Sequence, residues 1–465
     1  MCLQGDRLML FNSYEFIFLF LPITFVVFFI LGHKGKKKIG TMWLVLTSFF
    51  FYGFWDIKYI PLLFASICFN YLVGLQLENN NGSKGWLSFG IIINIILLGY
   101  FKYTDFFIGT LNDVAGTDIF DLPHIVLPLG ISFFTFTQTA YLIDAYRGET
   151  KNESFLTYLE FVTIFPHLIA GPIINHREMI PQFVADRTFH INYKNIAMGL
   201  TIFTLGLFKK VFIADKLAEY ANEAFSHAYL LNCIEAWTGA LGYTLQLYFD
   251  FSGYSEMAIG LGLIFNLKMP INFDSPYQAR SIIEFWRRWH MTLGLWVKKY
   301  LYIPMGGNRY GEIRKMRNLF FSMLIIGLWH GAGWTFVLWG GLHGVLLIIN
   351  HGWRRLGIDL PAVLSWGLTF LCVMICWVFF RSASIQEAFA VLVSMIDFKS
   401  ITVAGIDKLA VLCVITAWLV FMPNPIKMVK NTTFPSFKWK IVTIFLLVLS
   451  VLYITGDSPF LYFQF

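Results

Sequence analysis

Apolar runs close to the ~20 residues that a helix needs to cross a bilayer recur along the whole chain: Tyr14 to Leu31, Tyr59 to Leu77, Trp86 to Tyr100, Ile196 to Phe212, Trp366 to Phe380 and Lys440 to Ile454. With 57% hydrophobic residues, 14% charged residues and a mean hydropathy of +0.63 over 465 residues, a water-soluble domain is excluded. The pattern predicts an all-α polytopic membrane protein, with roughly ten to twelve transmembrane or re-entrant helices. The polar interludes Asn79 to Lys84, Thr104 to His124, Asn175 to Lys194 and Lys268 to Arg280 are short beside the ~50 residues of an independent core. A single integral domain over 1–465 is therefore expected, its chemistry concentrated in 240–345. The two halves do not resemble one another, which argues against an inverted-repeat transporter.

The first apolar run leads into Gly32-His33-Lys34-Gly35-Lys36-Lys37-Lys38, a stop-transfer flank rather than a cleavage site, so that segment is expected to be retained. Met9 is an alternative start. The net charge of +7 comes from basic clusters beside membrane segments: Lys34 to Lys38, Arg309 to Arg317 and Lys427 to Lys440. The positive-inside rule turns these to the cytoplasm and puts the N-terminus outside; no nucleic-acid partner is needed to explain them. The six cysteines are scattered. Cys372 and Cys376, one helical turn apart, are read as small core residues rather than a disulfide or metal pair.

His330 stands out because an ionisable ring in an apolar run, Gly327-Leu328-Trp329-His330-Gly331-Ala332-Gly333, is costly and usually functional. Counted from Leu319, it lies on the order of 16 Å into the membrane. Burial keeps such an imidazole neutral and able to accept a proton, so His330 is a candidate general base; a histidine bonded to a neighbouring helix is the competing reading. Upstream, Glu284-Phe285-Trp286-Arg287-Arg288-Trp289-His290 is too basic and aromatic for an ordinary span. If it is helical, Trp286 and His290 share a face, and Glu284 lies one turn from Arg287 and Arg288. Arginine forks suit phosphate, because each binds two oxygens at once. Interfacial snorkelling is the alternative for both arginines.

Asp250 and Glu256 sit in the apolar stretch Tyr243 to Leu263. They are expected to face inward, in ion pairs or, for Asp250, against substrate. His167 and His176, around Ala170-Gly171-Pro172, are weaker candidates. The chain carries no Gly-x-Ser-x-Gly elbow, no His-x4-Asp pair, no His-Glu-x-x-His and no Walker A loop. A histidine-centred direct transfer remains open, with no metal and no permanently bound cofactor.

Several stretches together resemble the membrane-bound O-acyltransferase family, in particular its alginate O-acetyltransferase branch. They are Met9-Leu-Phe-Asn-Ser-Tyr-Glu-Phe, Leu127-Pro-Leu-Gly-Ile-Ser-Phe-Phe-Thr-Phe, Phe165-Pro-His-Leu-Ile-Ala-Gly-Pro172, Tyr248-Phe-Asp-Phe-Ser-Gly-Tyr-Ser255, Phe285-Trp-Arg-Arg-Trp-His-Met-Thr292, Tyr302-Ile-Pro-Met-Gly-Gly-Asn-Arg309, Gly327-Leu-Trp-His-Gly-Ala332 and Tyr462-Phe-Gln-Phe465. The sequence departs from that branch at Met291-Thr292-Leu293-Gly294 and Val297-Lys298-Lys299, which bears on the polymer more than on the reaction.

The resemblance implies an acetyltransferase of the bacterial inner membrane with His330 essential and His290 the second active-site histidine. Acetyl-CoA would be the cytosolic donor substrate and an extracytoplasmic polysaccharide such as alginate the acceptor. A periplasmic serine-hydrolase-like (SGNH) partner is expected, because the chain has no sizeable extracytoplasmic domain of its own. Trp286, Arg287, Arg288, Trp289, Trp329 and Asp250 are the expected donor- or substrate-binding residues. His330 is expected to line a continuous cavity that His290 also approaches. The alternatives are D-alanyl, lipid or protein acyl transfer by the same fold, and a polymer or acyl-carrier transporter.

Overall fold

The computed structural model describes residues 9–79, 82–150, 153–403, 405–431, 436–454 and 460–461. Cys2, the residues before Met9 and the terminal Tyr462-Phe-Gln-Phe465 stretch lie outside them. The described residues are helices joined by turns, the polytopic helical architecture that the apolar runs predict. Six helices among them are long and apolar enough to cross a membrane: Phe16–His33, Ile57–Asn79, Lys84–Ala115, Tyr193–Ser226, Trp334–Leu356 and Ala362–Arg381. The sequence-based count of ten to twelve also included segments that fold as shorter or more polar helices. Among these are Ile282–Arg288 and Met291–Val297, which the turn at Trp289 and His290 separates.

The chain divides into two compact units, one of residues 1–207, 254–270 and 432–459, the other of 208–253, 271–431 and 460–465. The first is built on phenylalanine. Phe16 packs against Phe11 and Phe51 with ring centres 5.0 and 5.7 Å apart, and Phe165 meets Phe20 and Phe265 at 5.3 and 5.8 Å. Two apolar rings in contact need no polar partner, so such a cluster packs equally well in protein and against lipid.

In the second unit, helices Glu312–His330 and Trp334–Leu356 form a hairpin whose close approach glycine permits. A Cβ on Gly327 would lie 2.3 Å from the Phe336 carbonyl oxygen, and one on Gly340 would lie 2.4 Å from that of Met323. Small residues let membrane helices pack backbone to backbone, where van der Waals contact rather than hydrophobicity drives association. The turn between the two helices is opened by Gly331 and Gly333, both extended (φ −155° and −169°). His330 is consequently the last residue of its helix and not a mid-helix position. The bulk absent at Gly331 is taken up by Phe336, whose ring a Cβ there would strike at 2.2 Å.

Candidate active site

His330, 4% exposed, packs against Trp329, Trp339 and Phe380 with ring centres 5.0, 5.2 and 5.4 Å away. The His290 ring centre is 6.4 Å from it. The two candidate histidines, forty residues apart in sequence, thus share one buried cluster in the second unit. His290 is 1% exposed and lies against Phe251 (4.9 Å) and Trp329 (6.2 Å). It has a left-handed backbone (φ 43°, ψ 53°), which costs a non-glycine residue on the order of 1 kcal/mol or more.

Asn272 sustains that turn from two sides. Its carbonyl oxygen accepts the Met291 amide at 2.9 Å. Its side-chain oxygen accepts the Thr292 amide at 3.3 Å and the Thr292 hydroxyl at 2.9 Å, and lies 3.0 Å from His290 Nδ1.

Because helix Ile282–Arg288 ends before His290, Trp286 does not share a helical face with it, contrary to the continuous-helix expectation. The Trp286 indole N–H instead donates to His343 Nδ1 at 3.2 Å. A nitrogen that accepts carries no hydrogen, so neutral His343 holds its proton on Nε2, an atom that meets no partner among the described residues. His343 is fully buried between Trp339 (4.9 Å) and Trp377 (6.1 Å). Trp289, 2% exposed, stacks on Phe285 and meets Phe273 and Trp377. It belongs to the same aromatic wall.

Of the expected donor-binding arginines, Arg287 is exposed, whereas Arg288 pairs with Glu284 at 2.8 Å and donates to the Asp274 carbonyl at 3.2 Å. Asp250 lies within a buried ion network. Lys210 reaches it at 2.7 Å and Asp215 at 2.8 Å, and the second Asp250 oxygen accepts the Leu461 amide at 3.0 Å. Its carboxylate therefore holds protein elements together. Glu256 is buried and falls in the other unit. A cleft in the second unit is lined by Lys209, Tyr248, Ser275, Tyr277 and Met422 among others, and neither His290 nor His330 is among its lining residues.

His167 and His176 belong to the first unit. Each has protein partners at both ring nitrogens: Pro172 carbonyl (2.9 Å) and Thr137 hydroxyl (3.3 Å) for His167, Asp144 (3.4 Å) and the Glu149 carbonyl (3.3 Å) for His176. Cys372 and Cys376 are free thiols. Sequence reasoning missed Asn272, which no motif marks, and His343, which the argument used for His330 would have found: a histidine beside glycine in an apolar run, Gly340-Gly341-Leu342-His343-Gly344.

The sequence pattern of the membrane-bound O-acyltransferase family matches residues 18–385, and the chain belongs to that family. It is an O-acyltransferase of the membrane. It is 47% identical to a peptidoglycan O-acetyltransferase of Helicobacter pylori, over 86% of this chain and 82% of that one. It is 42% identical to a probable alginate O-acetylase, AlgI, of Pseudomonas aeruginosa, over 86% of this chain and 77% of that one. A teichoic acid D-alanyltransferase of Streptococcus thermophilus is 28% identical, over 49% and 57%.

Proposed function

We propose that the protein transfers an acetyl group from a cytosolic thioester, acetyl-CoA, to hydroxyls of an extracytoplasmic polysaccharide, directly or by way of a periplasmic partner of the serine-hydrolase type. The observation that carries this is the burial of His290 and His330 in one aromatic cluster of an O-acyltransferase. Acyl transfer needs a neutral imidazole lone pair, shielded from water that would hydrolyse the thioester. As the hydroxyl oxygen attacks the thioester carbonyl, its proton passes to a ring of this pair, and the departing thiolate takes a proton back as the tetrahedral intermediate collapses.

The donor's phosphates would meet Arg287, Arg288 and the basic loop Arg309 to Arg317. Acetyl is favoured over D-alanyl because the relatives named for O-acetylation cover most of this chain, whereas the D-alanyltransferase covers half of it at lower identity. Alginate and peptidoglycan are the acceptors to try first, and the bacterial inner membrane is the expected location.

The test is purified, reconstituted protein with labelled acetyl-CoA and each glycan, alone and with a periplasmic serine-hydrolase-type partner added. Transfer to at least one glycan is expected, with loss in His330→Ala that elutes as folded protein. Activity retained by that variant, or transfer from a D-alanyl thioester but not from acetyl-CoA, would overturn the reading.

A further inference from the structure

The hydrogen bonds around Asn272 determine where the proton sits on His290. A backbone amide can only donate, so the Asn272 atom that faces the Thr292 N–H at 3.3 Å is the side-chain oxygen and not its NH2 group. That oxygen can only accept. The same atom lies 3.0 Å from His290 Nδ1, so Nδ1 must carry a hydrogen. A neutral imidazole has one N–H, and burial of the ring, 1% exposed, favours the neutral form. The lone pair of His290 is therefore on Nε2. The left-handed backbone of His290 serves the same end, because the Asn272 carbonyl holds Met291 while its side chain holds His290 and Thr292. Strain of this kind persists where the surroundings over-determine it, commonly at functional sites.

We infer that Asn272 is the positioning residue of the active site, and that by pinning His290 in the Nδ1–H tautomer it makes Nε2 of His290 the atom that takes the acceptor hydroxyl's proton. The inference rests on the acyl-transfer reading above and deepens it. Ring centres 6.4 Å apart leave the nitrogens of His290 and His330 about 4 Å or more from each other, too far for a direct hydrogen bond.

In the transfer, the hydroxyl O–H bond breaks toward Nε2 while the oxygen's electron pair forms the ester C–O bond. The C–S bond then breaks, and the thiolate recovers the proton from Nε2 as the thiol. Nδ1–H stays bonded to Asn272 throughout, which stabilises the imidazolium as it forms. The titratable and charged groups on the elements packed around His290 are few. Among the described residues, the ring of His330 contacts it. Asp250, next to Phe251, is paired with Lys210, Asp274 with Lys427, and Arg288 with Glu284.

Two variants of the full-length reconstituted protein test this, with acetyl-CoA as donor and alginate oligosaccharide or solubilised peptidoglycan as acceptor. Asn272→Ala frees the tautomer, and kcat is expected to fall on the order of tenfold or more with the donor KM within about twofold. Asn272→Asp keeps an acceptor for Nδ1–H but adds a negative charge, which favours the imidazolium. The base form then exists only at higher pH, so the acidic limb of the kcat/KM profile moves up by about one pH unit or more, with activity recovered at alkaline pH.

If Asn272→Ala does not fold, the Asn272→Asp profile decides alone. An acidic limb that stays in place in Asn272→Asp, or an Asn272→Ala variant of unchanged kcat, overturns the inference while leaving the acyl-transfer reading intact. Absence of transfer by the wild-type protein, both alone and with its serine-hydrolase-type partner added, would fell that reading itself.

Discussion

Buried histidines occur in both units and are held in different ways. In the first unit, His167 and His176 each have protein groups at both ring nitrogens. In the second, His290 is anchored through Nδ1 to Asn272 and His343 through Nδ1 to Trp286, and both rings meet aromatic side chains edge to face. A ring bonded at both ends is a brace, because moving a proton on it breaks a hydrogen bond at each end. A ring whose Nδ1 bond has a fixed direction has a defined tautomer, which is what proton transfer needs. The anchors also differ in sign: Asn272 accepts from His290, whereas Trp286 donates to His343, so the two rings hold their protons on opposite nitrogens.

The largest expected effect that would break this comparison is at His330. Replacement by alanine should lower acetyl transfer by roughly 10²- to 10⁴-fold, the range for a positioned group that handles or stabilises charge at the reacting atoms, with unchanged elution from a sizing column. His167→Phe is the opposite case. It strips the Pro172 carbonyl and the Thr137 hydroxyl of their partner and should cost about 1–3 kcal/mol of stability, seen as an earlier thermal transition. Activity per folded molecule should stay the same, and a catalytic loss on the scale of His330→Ala would collapse the distinction between the two units.

Trp286→Phe keeps a ring against Trp339 but leaves the buried His343 Nδ1 without its donor. A stability loss of about 1–3 kcal/mol is expected, with a fall in activity smaller than that of His330→Ala, since His343 lies one aromatic ring away from His330. The smallest effect concerns the arginines. Arg287→Ala should raise the donor KM a few-fold and flatten its dependence on salt, as for an exposed charge contact of about 0.2–1 kcal/mol. Arg288→Ala, whose guanidinium is already engaged by Glu284, should show a weaker salt effect; the reverse order would move the donor's phosphates to the Arg288 side.

Hydropathy is a local property that adds up along the chain, which is why the helical membrane architecture was legible in the sequence alone; the kinship was legible in the order of its short motifs, and His330 stood out as a candidate. An ionisable ring in an apolar run is conspicuous without any fold around it. Other features required the third dimension. Trp286 bonds His343, fifty-seven positions away, rather than His290, four away, because the helix that would have aligned them stops at Arg288. Asp250 meets Lys210, forty positions earlier. Asn272, an ordinary asparagine in a turn, gains its role only because the chain returns at Thr292 with an amide that can do nothing but donate. Residue types state which protons and lone pairs are available, but the tautomer of an imidazole depends on which atom stands 3 Å from it, and only tertiary structure decides that.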